Sequence, residues 1–140
     1  MILYLDSSAL LRIVLRERGA LDVSVLHDAE SVLSSELVAI ECPRTIDRLR
    51  LQGSLPVEDA AERTRAIREW LEAVDLVLLQ RPILARASEP FPTPLGTLDA
   101  IHLATALVWK DREGQDLTIA THDGGLAIAA RTFGIPVLGV

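Results

Sequence analysis

The stretch DLTIATHDGGLAIAARTFGIPVLGV (residues 116–140) decides the fold of this chain. Its first six residues (116–121) form a short segment in which Leu117, Ile119 and Ala120 are apolar, and we predict a strand there. We predict a helix from Gly124 to Thr132 and a second strand over the PVLGV segment (136–140). A strand, a helix and a further strand in this order predict a βαβ unit, in which the two strands run parallel.

The same alternation runs through the rest of the chain. Short apolar segments at 2–6, 31–34 and 75–80 are predicted strands. The segments with helical character are predicted as helices from about Ser8, over 36–51, from Pro56 to about Ala73, and from about Leu98 to Lys110. Strands that alternate with helices in this way predict an α/β protein with a three-layer α/β/α fold around a central parallel sheet of about five strands.

Local signals place the element boundaries. Ser7 or Ser8 is the expected N-cap of the first helix and Thr97 that of the helix after the proline-rich loop SEPFPTPLGT (88–97). Pro43 falls inside a helical pattern and predicts a kink or a restart there.

Composition indicates one folded domain over residues 1–140. Hydrophobic residues make up 49% of the chain, and the single cysteine, Cys42, excludes an internal disulfide framework and a cysteine-based zinc cluster. The N-terminus has no basic region and no cleavage site of a signal peptide, and no apolar stretch is long enough to span a bilayer. We therefore expect a cytoplasmic protein with no membrane partner.

Four acidic residues stand where a parallel sheet places its ligands. Asp6 ends the first strand and Asp123 follows the fourth, so both belong at the carboxyl edge of the sheet. Asp99 lies in the first turn of a helix, and Glu41 lies on the helix that follows the second strand. If the four converge, each raises the pKa of the others, and a bound cation relieves the repulsion. An all-oxygen set of this kind suits Mg²⁺ or Mn²⁺ better than zinc.

Each acid also has an ordinary structural interpretation. Asp6 and Asp123 could cap the helices that follow them, Asp99 could interact with a helix dipole, and Glu41 could be a solvated helix residue. The net charge of -6 does not exclude a nucleic-acid partner, because a bound divalent ion inverts the local field. Spacing alone thus supports only a possible acidic metal site.

The segments around these acids resemble the motifs of the PIN domain and, within it, of the VapC-type toxins. YLDSSALLRIVL (4–15) resembles the opening motif, with Asp6 as its acid, and SSELVAIECPRTIDRL (34–49) the second, with Glu41 and the arginine Arg44. LGTLDAIHLATAL (95–107) is the closest match, with Asp99 as the third acid. THDGGLAIAARTFGIPVLGV (121–140) resembles the closing motif, with Thr121 and Asp123 at its Thr and Asp positions.

This resemblance implies a metal-dependent endoribonuclease with an RNA substrate, a small antitoxin as partner, and inhibition of translation and growth as its effect. The carboxylates of Asp6, Asp99 and Asp123 would hold Mg²⁺, with Mn²⁺ as a substitute, and Glu41 would complete the catalytic set. Hydrogen bonds from Ser7 or Thr121 to these carboxylates would orient them without touching the ion. Arg44 would contact substrate phosphates or antitoxin carboxylates.

Several neighbours depart from this pattern or have simpler interpretations. If a kink at Pro43 turns Glu41 away, that acid is lost from the site, and the Gly124–Gly125 pair replaces bulkier residues at the start of the last helix. We expect His102 to be a packed, hydrogen-bonded histidine rather than a metal ligand, and Cys42 to be a small buried hydrophobe. Trp70 and Trp109 are expected in the core or at a dimer contact.

Other functions remain open at this point. A receiver domain or an aspartate-nucleophile phosphatase needs a lysine near a late strand end, whereas the only lysine, Lys110, lies late in a helix. A degenerate PIN domain that binds RNA or a partner without cutting is the main alternative, and a structure-directed DNA nuclease is disfavoured by the short chain. The apolar helices between positions 56 and 88 predict a homodimer.

Overall fold

The computed structural model describes all 140 residues and contains five strands and seven helices. The strands are β1 (Ile2–Leu5), β2 (Ser31–Ser35), β3 (Asp75–Val77), β4 (Thr118–Ala120) and β5 (Val137–Leu138). The helices are α1 (Ser7–Val14), α2 (Val23–His27), α3 (Val38–Leu51), α4 (Val57–Glu72), α5 (Arg81–Ser88), α6 (Thr97–Glu113) and α7 (Gly124–Thr132).

All five strands pair in parallel, in the spatial order β3-β2-β1-β4-β5. The chain builds outward from β1 in one direction through β2 and β3, and then returns to the other side of β1 with β4. The order therefore reverses between β1 and β4. In open parallel sheets, ligands bind beyond the carboxyl ends of the strands at such a reversal.

Helices cover both faces of the sheet, which confirms the three-layer α/β/α prediction. Because side chains alternate along a strand, Leu3 and Leu5 pack on one core with α1, α3 and α4. Ile2 and Tyr4 point to the opposite core, which α6 and α7 cover. β1 is thus buried on both faces, as expected for the central strand of a parallel sheet.

Two predicted helix caps were wrong. Asp6, rather than Ser7 or Ser8, caps α1, and its carboxylate accepts a hydrogen bond from the backbone N–H of Ser8. Gly96, rather than Thr97, precedes α6, so that helix begins without a side-chain cap. In both places the helix starts one residue earlier than its hydroxyl side chains suggested.

The structure also corrects the predicted end of β3, adds two short helices and shows α3 as one continuous helix. β3 ends at Val77, not at residue 80, because Gln80 already serves as the N-cap of α5. The sequence prediction missed both α2 and α5, which have only five and eight residues. α3 runs from Val38 to Leu51 and contains Pro43, so of the kink or restart predicted there the restart does not occur.

None of the seven helices combines the length and the apolar character needed to cross a membrane.

Candidate functional site

The candidate site lies at the carboxyl edge of the sheet, where the strand order reverses. Asp6 directly follows β1 and its backbone N–H donates to Ala120 of β4 at 3.0 Å, so the two strand ends are held side by side. Asp123 follows β4 and caps α7 by accepting a hydrogen bond from the backbone N–H of Leu126 at 2.7 Å. The two strand-end acids therefore flank the reversal.

Asp6 is almost completely buried and uses its two carboxylate oxygens differently. Oδ2 accepts from the Ser8 backbone N–H at 3.2 Å, from the Ser8 hydroxyl at 2.5 Å and from the Thr121 hydroxyl at 2.8 Å. Oδ1 accepts no hydrogen bond within normal distance, and its nearest cationic group is His102 Nε2 at 3.6 Å. One oxygen is thus saturated by the fold, whereas the other remains available to a ligand.

The hydroxyls of Ser8 and Thr121 join the two strand ends. Ser8 Oγ accepts from the backbone N–H of His122 at 2.9 Å, and Thr121 Oγ1 accepts from the backbone N–H of Asp123 at 2.9 Å. Each hydroxyl donates a hydrogen bond to Asp6 and accepts one from a backbone N–H of the loop after β4. These bonds fix the position of Asp6 relative to Asp123.

Glu41 reaches the same region from α3, and Pro43 does not turn it away. Its Oε1 accepts from the Ser7 hydroxyl at 2.6 Å and lies 2.5 Å from His102 Nε2. Burial works to raise the pKa of Glu41, but the hydrogen bond and charge of His102 and the hydrogen bond from Ser7 outweigh it. The net effect is a lowered pKa.

His102 stands at the centre of the site and is only 1% exposed. Burial alone would lower its pKa, but the hydrogen bond to Glu41 and the charges of Asp6, Glu41 and Asp99 raise it overall. Its other ring nitrogen, Nδ1, lies 2.8 Å from the Tyr4 hydroxyl, which also accepts from the backbone N–H of Ser35 at 3.2 Å. As expected, this histidine is packed and hydrogen-bonded.

Sequence reasoning gave Tyr4 and Ser8 no role in the site. Tyr4 sits on an apolar strand and Ser8 follows a cap residue, so both have ordinary structural explanations. The only local signal is the DSS sequence (6–8), in which a capping acid is followed by two hydroxyls.

Asp99, in the first turn of α6, is the one acid of the four whose carboxylate accepts no hydrogen bond. Burial and the charges of Asp123 and Asp6 raise the pKa of Asp99 to about 6, although His102 acts in the opposite direction. No hydrogen bond offsets these effects. No lysine or arginine forms an ion pair with Asp6, Glu41, Asp99 or Asp123; His102 is the only basic partner. The four acids therefore lie close enough to repel one another, with one imidazole between them.

This repulsion makes the stability of the metal-free protein depend on pH. The folded protein has a higher pKa at Asp99 than the ordinary 3.8, so ionisation of Asp99 costs stability as pH rises from about 4 to 6. In an Asp99→Asn variant, the side chain at position 99 is neutral at every pH. In EDTA, we expect its unfolding free energy relative to wild type to increase over that interval and to level off above it, as measured by chemical denaturation. An unchanged difference from pH 4 to 7 would show that Asp99 is not destabilised.

The site offers oxygen donors of the type that a hard divalent cation prefers. No three of its His, Cys, Asp and Glu side chains converge on one coordination centre. Mg²⁺ commonly takes only one or two protein carboxylates and completes its shell with water and phosphate oxygens. The free Oδ1 of Asp6 and the uncompensated charge on Asp99 fit such a partial ligand set.

The remaining candidates lie outside this cluster. Arg44 is exposed on α3 and makes no ion pair in the structure. Cys42 is buried, and burial raises the pKa of its thiol to about 12, which agrees with an inert core residue. Trp70 and Trp109 pack against the two cores, one on each side of the sheet.

Comparison with known proteins assigns the family. The PIN domain matches residues 3–131. Ribonuclease VapC46 of Mycobacterium tuberculosis is 32% identical over 138 residues, which cover 97% of this chain and 95% of that protein. The fold resembles VapBC2 from Rickettsia felis bound to a promoter DNA fragment (TM-score 0.68, 10% identity, 99% and 98% coverage). It also resembles a toxin–antitoxin complex from Klebsiella pneumoniae (TM-score 0.61, 17% identity, 96% and 94% coverage). The chain belongs to the PIN-domain family and, within it, to the VapC-type ribonucleases.

Proposed function

We propose that this protein is a metal-dependent endoribonuclease that acts as the toxin of a toxin–antitoxin pair and inhibits translation by cutting RNA. The observation that carries the proposal is the group of four carboxylates at the strand-order reversal, with Asp99 left uncompensated. Carboxylates that repel one another in the metal-free site attract a divalent cation, and their negative charge then stabilises the metal-bound state. The similarity to a VapC ribonuclease and to toxin–antitoxin complexes supports the same function.

The four acids have distinct proposed roles. Asp6, through its free Oδ1, and Asp99 would hold Mg²⁺ directly, with Mn²⁺ as a substitute, and Asp123 would hold the same ion through a bound water. When bound, the ion supplies Lewis acidity and lowers the pKa of an attacking water. Glu41 is the fourth catalytic carboxylate. Ser7 and Thr121 orient Glu41 and Asp6 through the hydrogen bonds described above.

Metal removal is the direct test. The purified protein, free of antitoxin, is incubated with total cellular RNA in Mg²⁺, in Mn²⁺ or in EDTA. We expect cleavage with either ion and none in EDTA, because the site has no lysine or arginine to neutralise the developing phosphate charge and His102 is already hydrogen-bonded to Glu41. Cleavage that persists in EDTA would contradict the metal dependence. A folded protein that binds Mn²⁺ but cuts no RNA would favour the degenerate, partner-binding alternative.

Arg44 belongs to an exposed stripe on α3 formed by Ile40, Arg44, Arg48 and Leu51. Ile40 and Leu51 are 61% and 70% exposed, and neither arginine has an ion-pair partner. RNA phosphates would use the two charges but not the two apolar side chains. We therefore propose that the stripe contacts carboxylate and apolar side chains of an antitoxin, in the cytoplasm where both partners and RNA are present.

The test uses the proposed antitoxin partner, sought among the genes adjacent to this one, with binding measured by surface plasmon resonance at two salt concentrations. We expect Arg44→Ala to slow association and to weaken its salt dependence, because exposed interface charges act mainly through electrostatic steering. Arg65→Ala, which removes an exposed arginine from α4, is the matched control and should leave binding unchanged. Equal binding by Arg44→Ala and wild type would exclude the stripe as the antitoxin contact.

Light scattering on the antitoxin-free protein tests the proposed homodimer, which a monomeric mass would exclude.

A further inference from the structure

We propose that Tyr4 and His102 are positioning residues for Glu41, and that His102 holds Glu41 by an N–H bond instead of binding the metal itself. The inference rests on the proposed ribonuclease function. It concerns a pair that comes together only in the folded chain, since Tyr4 and His102 are separated by 98 residues in sequence.

The orientation of the His102 ring is fixed from both ends. The ring is buried, with Nδ1 at 2.8 Å from the Tyr4 hydroxyl and Nε2 at 2.5 Å from Glu41 Oε1. The Tyr4 hydroxyl is itself held by the Ser35 backbone N–H at the end of β2. The central sheet therefore determines the ring position, through one strand that carries Tyr4 and a second that anchors its hydroxyl.

Nε2 of His102 lies 2.5 Å from Glu41 Oε1 and 3.1 Å from the Ser7 hydroxyl oxygen, and we infer that it carries the proton of the hydrogen bond to Glu41. Glu41 Oε1 is a carboxylate oxygen, and the Ser7 hydroxyl donates its own proton to that same oxygen. A hydrogen bond between Nε2 and Glu41 thus requires the proton to come from the ring. A nitrogen that bears this proton has no lone pair for a cation. The geometry makes His102 a donor to the site and excludes it as a metal ligand while this bond persists.

Glu41 is consequently held by one oxygen only. Both donors, Ser7 and His102, bind Oε1, whereas Oε2 accepts no hydrogen bond from the protein. The Glu41 side chain is 17% exposed, so it is in partial contact with solvent. Anchoring one oxygen fixes the direction in which the other can accept a proton from water. This arrangement suits a carboxylate that orients the attacking water next to Asp6, rather than one that moves to coordinate an ion.

Three variants separate positioning from metal binding. His102→Leu removes the donor and nearly preserves the volume, His102→Gln restores a side-chain N–H, and Tyr4→Phe deletes only the distal hydroxyl. We expect His102→Leu to lower kcat by about 10- to 100-fold, the usual cost of losing an orienting partner, with KM and Mn²⁺ affinity nearly unchanged. His102→Gln should recover part of the kcat that His102→Leu loses. The kcat of Tyr4→Phe should lie between those of His102→Leu and the wild type. Thermal unfolding shows whether each variant is folded.

Proton NMR provides a readout that does not depend on activity. In the wild type, the His102 Nε2 proton should give a slowly exchanging downfield imidazole resonance, which shifts in Tyr4→Phe and in Glu41→Gln. A Mn²⁺ affinity that falls in parallel with kcat, or full kcat in folded His102→Leu, would overturn the inference. A wild-type protein that shows the resonance but cuts no RNA would contradict the proposed ribonuclease function and leave the Tyr4–His102–Glu41 arrangement standing. Absence of the shift in both variants would overturn the arrangement itself.

Discussion

Asp99→Asn is expected to reduce RNA cleavage by about a thousandfold or more and to weaken Mn²⁺ binding, while making the metal-free protein more stable above pH 6. The loss of activity follows from the charge: a neutral amide is a poor ligand, and metal stabilisation of the transition state contributes several kcal/mol. The gain in stability follows from the same charge. Burial and the carboxylates of Asp123 and Asp6 oppose ionisation of Asp99, and asparagine does not ionise.

Opposite changes in activity and stability distinguish a functional acid from a structural one. Asp111→Asn, which removes an exposed carboxylate from the same helix, is the matched control and should affect neither property. Calorimetric titration with Mn²⁺, denaturation in EDTA and RNA cleavage are measured on the three proteins in parallel. If Asp99→Asn were active, Asp99 would be no ligand. If it were inactive and less stable, a structural role of Asp99 would explain the loss.

Substitution of Asp6 is expected to have the second largest effect, and its two oxygens allow the contributions to be separated. Asp6→Asn keeps an acceptor for the Ser8 and Thr121 donors but loses the charge on the free oxygen. We expect it to be inactive by about a thousandfold yet to retain nearly the wild-type unfolding free energy. Asp6→Ala also removes the acceptor, which leaves the buried Thr121 hydroxyl and the half-buried Ser8 hydroxyl without their partner and α1 without its cap, and should cost about 1–3 kcal/mol as well.

Urea denaturation and RNA cleavage measured on both variants test this assignment. The decisive comparison is between Asn and Ala: equal inactivity with unequal stability would show that Asp6 performs two tasks with different atoms. Activity in Asp6→Asn would mean that its charge is not used. Large and equal losses of stability in both variants would mean that Asp6 serves the fold alone.

The general architecture was predictable because it depends on local patterns. Short apolar segments alternating with helical ones are enough to indicate a parallel sheet covered on both faces, and the five strands were found in the right places. The short helices α2 and α5 were missed: the five residues of α2 make little more than one turn, and α5 begins directly after the segment predicted as the third strand. The helix does not restart at Pro43, because the packing of α3 through Val38, Cys42 and Ile46 maintains the helix across one missing hydrogen bond.

The sequence by itself determined which acids could meet. A parallel sheet places every strand end at one edge, so Asp6 and Asp123 were expected there before any contact was known, and the motifs added Glu41 and Asp99. The tertiary structure alone decided what each oxygen does. It showed that Ser8 and Thr121 occupy one oxygen of Asp6, and that Tyr4 and His102 meet to hold Glu41. Three of these four bonds join residues 61 to 115 positions apart, and no local propensity encodes them, because their geometry is fixed only when the strands pair and the helices pack.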